Sequence, residues 1–142
     1  MAILNLIPTE KIIERLRYEN PWWISKEIPN TYSSMSKRLY FDLFYPFVLE
    51  RSIKRALVLM GPRRVGKTVM LFHCIENLLK EGTNPHKLFF IGIDNPIYVN
   101  LSLEDVLTLC KDSLNLENLN GCYVFFDEIQ YLKDWERHLK IL

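Results

Sequence analysis

The stretch Gly61-Pro62-Arg63-Arg64-Val65-Gly66-Lys67-Thr68 matches every fixed position of the phosphate-binding loop pattern G-x-x-x-x-G-K-[ST]. A short apolar, strand-like run at residues 56–60 precedes it. Residues 68–80 follow it and place apolar side chains on one face of a predicted helix. Those positions are Leu71, Cys74, Ile75, Leu78 and Leu79. A strand, a loop and a helix in this order form the phosphate-loop unit, so the stretch is predicted to bind nucleotide phosphates.

The residue types in this loop suit an anion. Gly61 and Gly66 allow backbone conformations closed to most residues, which lets main-chain N–H groups approach a phosphate. The helix that begins near Lys67 directs its positive dipole end at the same point. Lys67 supplies a charge for the β- and γ-phosphates, and the Thr68 hydroxyl can bind Mg²⁺. The candidate nucleotide-binding residues are Gly61, Pro62, Arg63, Arg64, Val65, Gly66, Lys67, Thr68 and Val69.

A second motif, Cys122-Tyr123-Val124-Phe125-Phe126-Asp127-Glu128, ends an apolar run in two carboxylates. A buried parallel strand has this continuous apolar character, and ligands meet such sheets at the strand C-termini. Asp127 is therefore predicted to bind Mg²⁺ together with Thr68, as the Walker-B acid. Glu128 is predicted to be the general base for water, with Lys67 as the second candidate catalytic residue. An ordinary strand before a solvated acidic turn is the alternative, and the upstream loop disfavours it.

These motifs resemble a family of archaeal and bacterial ATPases of the AAA superfamily. The similarity rests on residues 61–68, on Asp127-Glu128-Ile129-Gln130, and on Trp135-Glu136. Asn20-Pro21-Trp22-Trp23 and Asp94-Asn95-Pro96 also look like that family. Membership implies ATP rather than GTP, a Mg²⁺ cofactor and a five-stranded parallel core. It also implies a longer protein with a further C-terminal region.

The predicted fold class is α/β, with the parallel sheet and flanking helices of a P-loop NTPase. Residues 1–54 are expected to form an N-terminal helical and irregular preamble that packs on the core, and residues 55–142 the ATPase core. Further expectations are a helix capped by Thr9, a strand at residues 88–93, a helix capped by Ser102 with Asp105 near N3, and a helix from about Asp134. Pro46 is predicted to start or kink another helix.

The core is expected to be C-terminally incomplete, because the sensor strand of the resembled family would lie beyond Leu142. That strand would separate the segments at 57–60 and 123–126, so self-association or a C-terminal partner region is expected. An arginine finger cannot be identified either. A Mg²⁺-dependent ATPase with an unknown task is the first interpretation. A non-hydrolysing nucleotide-binding or interaction module and a nucleic-acid-associated ATPase are the alternatives.

Composition limits the remaining classes. The net charge of +1 gives no bulk argument for nucleic acid or membrane binding, although residues 51–75 carry six basic side chains and no acidic one. That basic stretch keeps a nucleic-acid-binding patch as an alternative. The three cysteines lack metal-binding spacing and are expected in the core. The sequence shows no signal peptide and no membrane-spanning stretch, so a cytoplasmic location is expected.

The preamble is rich in aromatic side chains, with five of them at residues 40–47. One of these rings could stack on adenine, but packing in the core is the favoured interpretation. Trp22 and Trp23 could mark a protein-binding surface, because adjacent exposed tryptophans are uncommon.

Overall fold

A computed structural model of the chain describes residues 8–35, 41–49, 67–132 and 134–137. Within these ranges the strands are β1 (Leu88–Gly92) and β2 (Tyr123–Asp127). The α-helices are α1 (Thr9–Glu19), α2 (Trp22–Ser25), α3 (Asn30–Ser33), α4 (Phe41–Leu49), α5 (Lys67–Lys80) and α6 (Leu103–Ser113). Short 3-10 turns occupy Pro85–Lys87, Pro96–Tyr98 and Ile129–Tyr131. The predicted strand at 57–60 and the loop residues 61–66 lie outside the described ranges.

The two strands and α6 form a β-α-β unit. β1 and β2 pair in parallel, with Leu88 opposite Tyr123 and Gly92 opposite Asp127. All five residues of β1 are buried, which its uninterrupted apolar sequence predicted. Helices flank this parallel pair, so the predicted α/β fold class is confirmed. In the part of the chain that the structure describes, no helix is long and apolar enough to cross a membrane.

The helix that connects the strands begins with the predicted capping box. The Ser102 hydroxyl accepts the Asp105 N–H at 3.1 Å, and the Asp105 carboxylate accepts the Ser102 N–H at 3.0 Å. These bonds satisfy two N–H groups that have no partner inside the helix. Leu103, Val106 and Cys110 then turn inward and are fully buried, so the capped end fixes which face of α6 meets the core.

Helix α1 starts differently from the expectation. Thr9 is its first residue and not its cap; the preceding residue is Pro8, and the structure shows no side-chain cap there. Instead the Pro8 carbonyl accepts the N–H groups of Lys11 and Ile12, because the helix begins one residue earlier than the threonine cap would require. The predicted helix is nevertheless present, and Ile12 and Leu16 form its buried face.

Helix α5 packs on the face of the sheet that carries Phe90. The rings of Phe72 and Phe90 have centroids 4.4 Å apart, and Tyr32 of α3 stacks on Phe72 at 4.1 Å. Every residue of α5 from Met70 to Ile75 is buried. The helix is therefore a central core element, and its first turn is held close to the end of β2 by a hydrogen bond described below.

Helix α4 supplies the preamble aromatics to this core. Phe41 and Tyr45 are buried and stacked on each other, which confirms core packing for these two rings. The Tyr45 hydroxyl donates to Glu81, just past the last residue of α5. That position is about 20 Å along the helix from its first turn, so this ring cannot stack on a base held there. The helix continues through Pro46 rather than beginning at it.

The expectation that Trp22 and Trp23 form an exposed protein-binding surface is wrong. Their exposed fractions are 0% and 8%. Both indole N–H groups donate to the Leu88 carbonyl, at 3.0 Å and 2.9 Å, and so use both of its lone pairs. The Trp22 ring contacts Phe72 and the Trp23 ring contacts Phe89. Phe89 and Phe90 point to opposite faces of the sheet, and Phe72 packs on Phe90. The two tryptophans therefore lie on opposite faces of the sheet at the edge of β1.

Asn20 completes the cover on this edge. Its amide accepts the Phe90 N–H at 2.6 Å and donates to the Phe90 carbonyl at 3.0 Å, as a neighbouring strand would. Glu19 accepts the Gly92 N–H at 3.1 Å. Leu88, Phe90 and Gly92 are the β1 residues whose backbone faces away from β2. Side chains of residues 19–23 thus serve as a substitute strand along the edge of β1.

The Asn20 amide should contribute strongly to stability. Asn20→Ala leaves the buried N–H and C=O of Phe90 without partners, and each such group costs about 1–3 kcal/mol. We expect a loss of roughly 2–4 kcal/mol in the free energy of unfolding, measured by urea denaturation. Asn120, which is exposed, provides the matched control: Asn120→Ala should change stability by less than about 0.5 kcal/mol. Equal losses from the two variants would contradict the substitute-strand interpretation.

Glu19 should make stability depend on pH. Burial raises the pKa of its carboxyl above the ordinary value of 4.5, against the opposing effects of the Tyr98 hydroxyl, the Arg15 guanidinium and the Gly92 N–H; Asp94 adds to the increase. The folded state therefore binds the proton more tightly than the unfolded state. This stabilisation is fully present below pH 4.5 and is lost as the pH rises through the raised pKa.

Comparison with Glu19→Gln isolates this contribution, because glutamine does not titrate. We expect the unfolding free energy of the parent, relative to the variant, to fall as the pH rises above 4.5 and then to level off. Chemical denaturation across this pH range measures the difference. A difference that rises with pH would show that the folded state favours the charged carboxylate, contrary to the expectation.

Candidate functional site

The predicted site residues fall into two groups in the structure. Residues Gly61, Pro62, Arg63, Arg64, Val65 and Gly66 lie outside the described ranges, as does most of the basic stretch. Lys67, Thr68 and Val69 form the first turn of α5, and Asp127 is the last residue of β2 with Glu128 directly after it. The described part of the site therefore joins the start of a helix to the C-terminal end of a parallel strand, where open α/β sheets bind ligands.

A hydrogen bond brings the two motifs together. The Thr68 hydroxyl donates to Asp127 Oδ2 at 2.7 Å, across 59 positions of sequence. A hydroxyl oxygen and a carboxylate oxygen are both ligands that Mg²⁺ accepts, and Mg²⁺ usually keeps water and phosphate oxygens in its remaining positions. Among the described residues, no group of three or more His, Cys, Asp or Glu side chains could hold a metal ion. A two-ligand site completed by phosphate therefore fits the residues present.

The next pair of side chains is ionic. Lys67 Nζ lies 3.6 Å from Glu128 Oε1, and the two side chains are only 11% and 8% exposed. Lys67 opens α5, a helix of 14 residues, so its ammonium adds to the positive dipole end of that helix. Because this pair is largely shielded from water, its charges interact more strongly than those of a surface ion pair.

Glu128 owes its direction to the backbone. It adopts the left-handed conformation, with φ 60° and ψ 46°, which is uncommon for a residue other than glycine. The chain leaves β2 at this point and enters the 3-10 turn Ile129–Tyr131. As a result Asp127 contacts Thr68 while Glu128 contacts Lys67. Gln130 donates a further hydrogen bond to Glu128 Oε2.

The electrostatic environment of Asp127 combines opposing effects. Burial raises the pKa of its carboxyl above the ordinary value, and the hydrogen bond from Thr68 lowers it. The negative charges of Glu128 and Asp94 raise this pKa further, whereas Lys67 lowers it. A divalent cation beside these carboxylates would favour their charged forms, so the crowding of negative charge suits a metal site.

Sequence reasoning assigned no role to Asp94 or Glu19. Asp94 follows the C-terminal end of β1 and acts electrostatically on Asp127. The position of a carboxylate just after a predicted strand was the signal that could have identified it. Glu19 gave no such signal, because it lies at the end of a helix far away in sequence and reaches the sheet only through tertiary contacts.

Comparison with known proteins identifies the family of the chain. The family model described as AAA domain matches residues 53–142, which include both motifs and all of the sheet. No curated protein and no solved structure matches the chain. The matched region covers more than half of the sequence, so the chain belongs to the AAA domain family and contains a nucleotide-binding domain of that type.

Proposed function

We propose that this domain binds ATP together with Mg²⁺ and hydrolyses it. The observation that carries the proposal is the hydrogen bond from Thr68 to Asp127. The bond joins the hydroxyl that ends the phosphate-loop motif to the carboxylate proposed as the Walker-B acid, and two oxygen groups this close together could share a metal ion. Family membership supports nucleotide binding, and the carboxylate after Asp127 supports hydrolysis in particular.

Each described residue has a distinct part in this proposal. Thr68 and Asp127 would hold Mg²⁺, and the ion would offset the negative charge of the phosphates. Lys67 would bind the β- and γ-phosphates from the start of α5. Phosphate oxygens then compete with Glu128 for the Lys67 ammonium, because both are anions within reach of the same cation.

Glu128 would act on water. Its carboxylate accepts a proton from the attacking water as the water oxygen bonds to the γ-phosphorus. The bond between that phosphorus and the bridging oxygen breaks, and the electrons leave with ADP. The transition-state charge commonly requires an arginine, often from another subunit. Self-association therefore forms part of the proposal.

Lys67 and Glu128 variants separate binding from hydrolysis. Lys67→Ala removes a charge-assisted contact worth about 1.5–3 kcal/mol, so Mg-ATP affinity should fall roughly 10- to 100-fold. Glu128→Gln cannot accept the proton, so ATP turnover should fall about 10²- to 10⁴-fold while ATP still binds. Calorimetry measures the affinity, and release of inorganic phosphate measures the turnover.

Two substitutions away from the candidate site serve as matched controls. Lys80, at the opposite end of α5, is largely exposed, and Lys80→Ala should leave affinity unchanged. Glu117→Gln, at an exposed position, should leave turnover unchanged. Equal affinity for Lys67→Ala and the parent would refute nucleotide binding by this loop. Binding with no turnover in the parent would favour the non-hydrolysing module instead.

The metal assignment predicts a split between two Thr68 variants. Thr68→Ser keeps the hydroxyl, whereas Thr68→Val keeps the shape and removes it. We expect Thr68→Val to bind ATP equally with Mg²⁺ and with EDTA, because one of the metal's two protein ligands is lost. Thr68→Ser should retain most of the Mg²⁺-dependent gain in affinity seen in the parent. Full retention by Thr68→Val would exclude this hydroxyl as a metal ligand.

A further inference from the structure

Glu19 is a buried carboxylate that the proposed site does not use. Its side chain is 7% exposed. Oε2 accepts the Gly92 N–H at 3.1 Å, and Oε1 accepts the Tyr98 hydroxyl. Arg15 lies 3.7 Å from Oε2 on the same helix. These contacts connect the end of α1 to Gly92, the last residue of β1, and to Tyr98 in the turn that follows β1.

Stability alone does not favour a carboxylate at this position. Glu19 is the last residue of α1, where the negative end of the helix dipole disfavours an acid. Burial also raises the pKa of its carboxyl, which shows that the charged form is disfavoured there. A residue that breaks two local rules at one position is a candidate for a functional role.

Gly92 is matched to this carboxylate. A Cβ added to Gly92 would lie 2.8 Å from Glu19 Oε2, closer than nonbonded carbon and oxygen atoms approach. Since Gly92 has no Cβ, the carboxylate can reach its N–H group. The contact therefore depends on both residues, and it lies at the C-terminal end of β1.

This end of β1 is bonded directly to the proposed metal site. Gly92 is opposite Asp127 in the strand register. The next residue, Ile93, donates its N–H to the Asp127 carbonyl at 2.9 Å. Asp127 in turn accepts the Thr68 hydroxyl. Glu19 thus holds β1 from one side at the level where Asp127 is held from the other.

We propose that Glu19 is a positioning residue for Asp127: by fixing Gly92 and Tyr98 it sets the end of β1 and so the placement of the Asp127 carboxylate beside Thr68. This proposal rests on the proposed function for its consequence, the binding of Mg²⁺ with ATP. Asn20 provides the contrast. It covers the same edge of β1 but acts at Phe90, which is opposite Phe125 and two residues before the site.

The first experiment compares ATP affinity in Mg²⁺ with ATP affinity in EDTA. Partners in the outer shell of a metal site typically change metal affinity 10- to 100-fold, so Glu19→Ala should reduce the Mg²⁺-dependent gain about 10-fold. Glu19→Gln should restore most of it, because its amide can accept from Gly92 and donate to the Tyr98 oxygen. Asn20→Ala should lower stability and leave the gain unchanged.

The second experiment needs no nucleotide. Amide hydrogen exchange on the chain without ligand should be faster at Gly92 and Ile93 in Glu19→Ala than in Asn20→Ala, in which Phe90 should be the most affected. If Glu19→Ala does not fold, Tyr98→Phe takes its place. That variant keeps the carboxylate and removes one of its partners, and it should produce smaller changes in the same direction.

The outcomes distinguish the two proposals. An unchanged Mg²⁺-dependent gain in Glu19→Ala, or an equal reduction in Asn20→Ala, would overturn the positioning role while leaving ATP binding intact. A parent chain that does not bind Mg-ATP would overturn the proposed function. In that case faster exchange at Gly92 and Ile93, confined to the Glu19 and Tyr98 variants, would still support the positioning role, and its absence would refute it.

Discussion

The cover on the edge of β1 is the constraint on which the described structure depends. A strand edge presents alternate N–H and C=O groups that must find partners when buried. Here the partners are side chains: two indoles at Leu88, an amide at Phe90 and a carboxylate at Gly92. Among the described residues, these contacts come from side chains on the edge of β1 that faces away from β2, while β2 pairs with the other edge. The outward backbone groups of Leu88, Phe90 and Gly92 therefore have partners without a further strand on that side.

Because of these hydrogen bonds, residues 19–23 are structurally part of the nucleotide-binding domain. The family match begins at residue 53, yet the hydrogen bonds that complete β1 come from residues 19–23. Helix α1 also packs against α6 and β1. Residues 53–142 without this segment would expose the backbone of a fully apolar strand, which is an aggregation hazard. The contacts of residues 20–23 therefore bear on folding, whereas Glu19 is the residue that we propose to act on the geometry of the site as well.

Local sequence patterns predicted much of the structure, but they could not predict contacts between residues that are far apart in the sequence. The sequence predicted β1, α5 and the capping box of Ser102, because apolar periodicity and capping chemistry act within a few residues. It did not predict the Asn20 contact with Phe90, which spans 70 positions, or the burial of Trp22 and Trp23. Composition alone cannot distinguish a tryptophan that is buried against a strand edge from one that contacts a partner protein. For the candidate site, the motifs indicated Lys67, Thr68, Asp127 and Glu128. They did not indicate Glu19, which contacts the neighbouring strand β1 at Gly92.

Two carboxylates near the C-terminal end of the sheet depart from local preference. Helix starts elsewhere follow ordinary rules, as in the side-chain caps of Asn84, Asn95 and Ser102, although Lys26, Asn100, Asn115 and Asp134 also have a left-handed backbone. Near the site, Glu128 is left-handed and Glu19 places an acid at a helix C-terminus. Strained or disfavoured residues persist where the surroundings hold them firmly, and they concentrate at functional sites. Here Glu128 contacts the Lys67 ammonium and Glu19 accepts the Gly92 N–H, so each unfavourable local choice is held by a specific contact at the C-terminal end of the sheet.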